Sequence, residues 1–115
     1  MLNELTQYME DCNLGYKDFK PIDFELLASF IETIFKDKLK EVVRAKFKRH
    51  GALGNMKYGS VYIVRGRGIT KNLILFQKDG TVEIPDEVTD NEKNAVKTSF
   101  TKWCDILQFE KYKEA

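Results

Sequence analysis

Apolar positions fall into three helical stripes and one block of strands. In residues 1–12, Leu2, Leu5, Tyr8 or Met9, and Cys12 recur at steps of three and four, which predicts a short helix. Asn13-Leu14-Gly15 is its expected stop, with Gly15 taking positive φ. Pro21 disfavours helix at Lys20. Asp23 is the expected N-cap of a second helix, with Glu25 in its first turn. Leu27, Phe30, Ile31, Ile34, Phe35, Leu39, Val42, Val43 and Phe47 then make one continuous stripe. Read as one helix, residues 23–49 form a rod of roughly 40 Å, bent near Lys36-Asp37-Lys38 or projecting beyond the core at its basic end. Lys48, Arg49 and His50 fill its last turn, and Gly51 is the C′ residue.

Residues 51–59 hold three glycines and predict a loop. Residues 60–64, 72–77 and 81–84 are β-branched, aromatic and leucine-rich, and predict a three-stranded antiparallel meander. Arg65-Gly66-Arg67-Gly68 starts its first turn and Lys78-Asp79-Gly80 makes its second. Leu73-Ile74-Leu75-Phe76 does not alternate, so that strand is expected to be covered on both faces. Thr89-Asp90-Asn91-Glu92 matches a capping box. Val96, Phe100, Trp103 and Leu107 form the core stripe of a last helix with Tyr112 at its end, and the polar residues 110–115 are expected to fray. The expected fold is α+β, in the order α-α-β-β-β-α, with the long helix and the C-terminal helix packed on the meander. At 115 residues the chain is read as a single domain.

After residue 22 the order α-β-β-β-α is similar to that of double-stranded-RNA-binding domains. That family opens its last helix with a Lys-Lys-x-Ala-Lys cluster. Here Glu92-Lys93-Asn94-Ala95-Val96 keeps one lysine and the alanine, and the second helix is longer than the family's. The similarity is one of element order and implies no site residue.

Charge is segregated along the chain. Residues 36–71 carry eleven cations and two anions, Asp37 and Glu41, for a net +9; the rest carries eight cations and sixteen anions. Lys36, Lys40, Arg44 and Lys48 stand at i, i+4 spacing, one helix face about 18 Å long, widened by Lys38, Lys46 and Arg49. Like charges so placed destabilise a helix by a few tenths of a kcal/mol per pair, which a bound polyanion would reverse. They also suit a solvated last turn, or a face covered by the acidic ends of the chain. Arg65 and Arg67 sit on a hairpin tip, where guanidinium forks suit phosphates or carboxylates. Tyr58 and Tyr62 beside them can stack on bases or fill the core. The acidic first third could meet the basic patch of a second copy, giving a homodimer.

Other chemistry finds little support. His50 is the only histidine, so neither a zinc site nor a histidine-assisted nucleophile is expected, and it reads as a helix-end cation. Cys12 and Cys104 read as core. Asp86/Glu87 and Asp90/Glu92 lie at a helix N-terminus, where acids belong. The glycine-rich loop lacks the Gly-Lys-Ser/Thr ending of a phosphate loop. The chain has no apolar run of membrane length and no signal-peptide start, which predicts a cytoplasmic protein without cofactor or metal. Lysine outnumbers arginine 15 to 4, the usage of AT-rich genomes, which points to a low-GC bacterium, its phage or its plasmids.

The leading expectation is a small non-enzymatic protein binding nucleic-acid backbone through Lys36, Lys40, Arg44, Lys48, Arg49, Lys57, Arg65 and Arg67. With about four to six phosphates neutralised, log K would fall against log salt with a slope near −4 to −5 on duplex DNA. The alternative is an inhibitor or adaptor, of the kind phages and plasmids encode, engaging an acidic host-protein surface through the same cations.

Overall fold

A computed structural model describes residues 4–51 and 57–113, with the side chains of Lys57 and of residues 111–113 outside that description. The order is α1 (Glu4–Asp11), a single 3-10 turn (Tyr16–Asp18), α2 (Pro21–Lys38), β1 (Arg44–Arg49), β2 (Lys57–Arg65), β3 (Ile69–Gln77), β4 (Val82–Glu83) and α3 (Asp90–Lys113). The class is α+β, as expected. The order is corrected: four strands, β1-β2-β3-β4, pair antiparallel in sequence order, giving α-α-β-β-β-β-α. The fourth strand also departs from the double-stranded-RNA-binding order. No described helix is long and apolar enough to cross a membrane.

The predicted long helix is where sequence and structure part. α2 stops at Lys38, and Lys40 takes φ 55°, a left-handed conformation. The Phe35 carbonyl accepts from the N–H groups of Leu39 (3.0 Å) and Glu41 (3.1 Å), turning the chain out of the helix. Residues 44–49 are strand β1. Ala45 and Phe47 face inward, while Arg44, Lys46 and Lys48 are exposed. Phe47 stacks on Phe24 with ring centroids 4.0 Å apart. In one straight helix those residues would be about 35 Å apart, so the stacked pair requires the chain to fold back.

Two smaller expectations change for local reasons. Asn13 takes positive φ (57°) after α1, while Gly15 is extended at φ −129°. α2 begins at Pro21, and Asp23 is its third residue; the Asp23 carboxylate accepts from the Lys20 N–H at 2.8 Å, so it caps from inside the helix. The predicted loop is also shorter, since β2 opens at Lys57, while residues 52–56 lie outside the described part. Helix α3 runs to Lys113, past the expected fray at 110.

The described helix contacts of the sheet fall on one face. Phe24 of α2 meets Phe47 and Phe76, Trp103 of α3 meets Phe76, and Thr6 of α1 exchanges hydrogen bonds with Val82. Val61, Ile63, Ile74, Phe76 and Val82 point to that side and are fully buried. Trp103 donates its indole N–H to the Asp23 carbonyl at 2.7 Å. Gly59 lies in the same layer; a Cβ there would meet Phe47 Cζ at 2.5 Å. The consecutive burial of Leu73 and Ile74 comes from a bulge, not from cover on both faces. Val61 pairs with Ile74 and Tyr62 with Asn72, which leaves Leu73 as an extra residue turned into the core.

The helix end at Lys40 gives a sharp test. Replacing Lys40 with glycine removes the left-handed penalty and is expected to stabilise the protein by about 0.5–1 kcal/mol in urea unfolding. A comparable loss would mean that residue 40 is helical.

Candidate functional site

Strand register sorts the cations between two faces. Arg44, Lys46 and Lys48 of β1 stand opposite Val64, Tyr62 and Ser60 of β2. Those β2 residues stand opposite Thr70, Asn72 and Leu75 of β3, and Leu75 opposite Glu83 of β4. These residues therefore share the face away from the helices. Arg44, Lys46 and Lys48 are exposed and form a column along one edge, about 6.6 Å between neighbours. None of the three has an ion-pair partner among the described residues. The acid on this face, Glu83, lies at the opposite edge and accepts from Gln77 at 2.6 Å.

The helix side treats its charges differently. Arg65 Nη2 donates to Glu41 (2.8 Å) and to Glu92 (2.6 Å), and Lys71 Nζ donates to Glu92 (2.7 Å). Glu92 also closes the capping box of α3, accepting from the Thr89 N–H at 2.9 Å, as the sequence predicts. Its side chain is only 8% exposed. Burial opposes its charge, but hydrogen bonds from Lys71, Arg65 and Thr89 more than offset this, holding its pKa at about 2. Glu41 is lowered chiefly by the Arg65 hydrogen bond, and Arg65 is raised by both carboxylates.

The expected site residues are thus dispersed. Arg44 and Lys48 share a sheet face with Lys46, not a helix face with Lys36 and Lys40. Lys36 lies in the last turn of α2 and Lys40 in the connector. Arg49 points to the helix side, its guanidinium 5.1 Å above the Tyr58 ring. That ring also packs against Tyr16, so Tyr58 is a core aromatic. Arg65 is neutralised within the fold. Arg67 is exposed on the β2–β3 hairpin, at the Arg44 end of the sheet. The side chain of Lys57 lies outside the described residues. His50 follows a strand, not a helix, and its Nε2 lies 3.3 Å from Ser60 Oγ. Cys12 and Cys104 are buried, and burial raises both thiols above their ordinary pKa.

Sequence reasoning missed the polar and apolar floor beside the cations: Val64, Thr70, Asn72 and Leu75. The available signal was the period-two spacing of Arg44, Lys46 and Lys48, which the helical stripe masked. Comparison with protein-family models, with curated proteins and with solved structures returned no match.

Glu92 makes stability depend on acid. Its folded pKa of about 2 lies below the ordinary 4.5. The ionised form therefore contributes stability that is fully present above 4.5 and is lost as pH falls through 2. The gap corresponds to roughly 3 kcal/mol. Glu92→Gln is expected to lower the unfolding free energy from urea titration at pH 7 by that order, with a lower midpoint, and to flatten the loss of stability between pH 4.5 and 2. An unchanged midpoint would contradict the assignment.

Proposed function

We propose that this chain is a small non-enzymatic nucleic-acid-binding protein that contacts backbone phosphates through the open face of its sheet. Arg44, Lys46 and Lys48 make the central contacts, with Arg67 of the adjoining hairpin at the margin. The supporting observation is the β1 column: three cations in a row, none ion-paired among the described residues, on the sheet face turned away from the Phe24 and Trp103 packing, with Glu25 and Glu32 of α2 bordering Lys46 at the strand edge. Bringing phosphates to such a row releases counterions and relieves repulsion between the cations. Arg65 is withdrawn from the expected set because Glu41 and Glu92 already hold it.

A second reading, an acidic protein surface as partner, draws on two exposed apolar side chains. Val42 is 83% exposed and Ile69 72%, and both lie at the Arg44 end of the sheet. Large apolar groups beside cations suit a protein partner better than a phosphate backbone.

Salt titration of binding to mixed-sequence oligonucleotides tests the first reading. With about three to five phosphates engaged, the slope of log K against log salt is expected between about −2 and −4. Lys46→Ala/Lys48→Ala is expected to make it less negative by about 2 and to weaken binding across sequences alike. A slope near zero, or a double variant that binds like the parent, would remove the reading. Retention of a protein partner from nuclease-treated lysate, sensitive to the same double variant, would favour the second.

A further inference from the structure

Resting on the nucleic-acid reading, we infer that the open face takes a single strand, with phosphates along Arg44, Lys46 and Lys48 and a base stacked on Tyr62. Tyr62 stands in the middle of the face, between Lys46 on one side and Asn72 on the other. Every other tyrosine whose side chain is described is engaged inside the fold. Tyr8 donates its hydroxyl to Asp105 at 2.6 Å, Tyr16 packs on Phe76, and Tyr58 lies under Arg49. Tyr62 has no ring contact, cation contact or side-chain hydrogen bond among the described residues, although it is half-buried. The Asn72 amide and the exposed Thr70 hydroxyl, next along β3, are likewise without side-chain hydrogen bonds there.

This layout distinguishes the strandedness of the ligand. The three cations run about 13 Å along one edge strand, a single row suited to one sugar-phosphate chain. The centre of the sheet beside them is uncharged: Tyr62, Val64, Thr70, Asn72 and Leu75, with Ser60 buried at one end. A duplex keeps its base faces stacked inside and would leave Tyr62 without a role. An unpaired strand turns its bases away from the phosphates and onto that floor. There an aromatic ring offers stacking that is tolerant of sequence, and the Asn72 amide offers hydrogen bonds to base edges.

The test is fluorescence anisotropy at low salt with the intact protein. The probes are a labelled twelve-nucleotide thymidine strand, the same strand paired as a duplex, and the same backbone without bases. The single strand is expected to bind at least about ten-fold more tightly than the duplex. Tyr62→Ala is expected to lose about ten- to hundred-fold on the single strand and little on the abasic backbone, with Tyr62→Phe close to the parent. Equal affinity for single strand and duplex in the parent protein, a comparison that needs no variant, would overturn the inference. So would parental binding by Tyr62→Ala. If Lys46→Ala/Lys48→Ala still weakened binding in either case, the phosphate reading would stand without the strand assignment. Absence of binding to all three probes would remove both.

Discussion

A glutamate with little access to water, Glu92, joins three parts of the chain that are distant in sequence. It caps α3 through Thr89, and it holds Lys71 of β3 and Arg65 of β2. Through Arg65 it reaches Glu41, in the connector that carries the chain from α2 into β1. Two carboxylates and two cations share this half-buried site, so each charge keeps an opposite partner. Removing one partner from such a group leaves the others partly buried and uncompensated. The entry into the sheet, its central hairpin and the last helix therefore share one electrostatic constraint.

The same constraint divides the sheet chemically. Arg65 and Lys71 point toward the helices and are matched there by acids. Arg44, Lys46 and Lys48 point the other way and have none among the described residues. The edge position of β1 sharpens the contrast. Its outward backbone is partly covered where Glu32 of α2 accepts the Ala45 N–H at 2.7 Å. Cations along an edge strand also oppose pairing with another sheet. A dimer formed by β1 against β1 would set like charges across from one another, which argues against that form of the homodimer read from the sequence. A flexible polyanion meets no such opposition.

Much of the fold was legible where its cause is local. The α3 stripe of Val96, Phe100 and Trp103 needs only helical spacing, the Thr89–Glu92 box only four residues, and the Lys78–Gly80 turn only a glycine, which takes φ 98°. The stretch from Leu39 to Phe47 was illegible because its apolar steps fit two periods at once. Helical spacing links Leu39, Val43 and Phe47, while alternation links Ala45 and Phe47. The choice is made by Phe24, which offers Phe47 a stacking partner only if the chain turns at Lys40. Helical propensity thus yields to a tertiary contact. The candidate site shared that fate. Its cations were identified by charge alone, but their common face follows from strand register. The loss of Arg65 follows from carboxylates 24 and 27 positions away.

The bulge at Leu73 decides which neighbour of the site is wet. Side chains in a strand alternate, so one supernumerary residue inverts the sense of all that lie beyond it. With Leu73 present, Lys71 turns toward Glu92 and Asn72 toward solvent. Were the strand one residue shorter at this point, the lysine would swing to the cationic side and the amide would go under α3. Glu92 would then lose a counterion while the outer surface gained one. A lone extra residue in a hydrophobic run thereby allots one charge to architecture and one neutral group to the outer face.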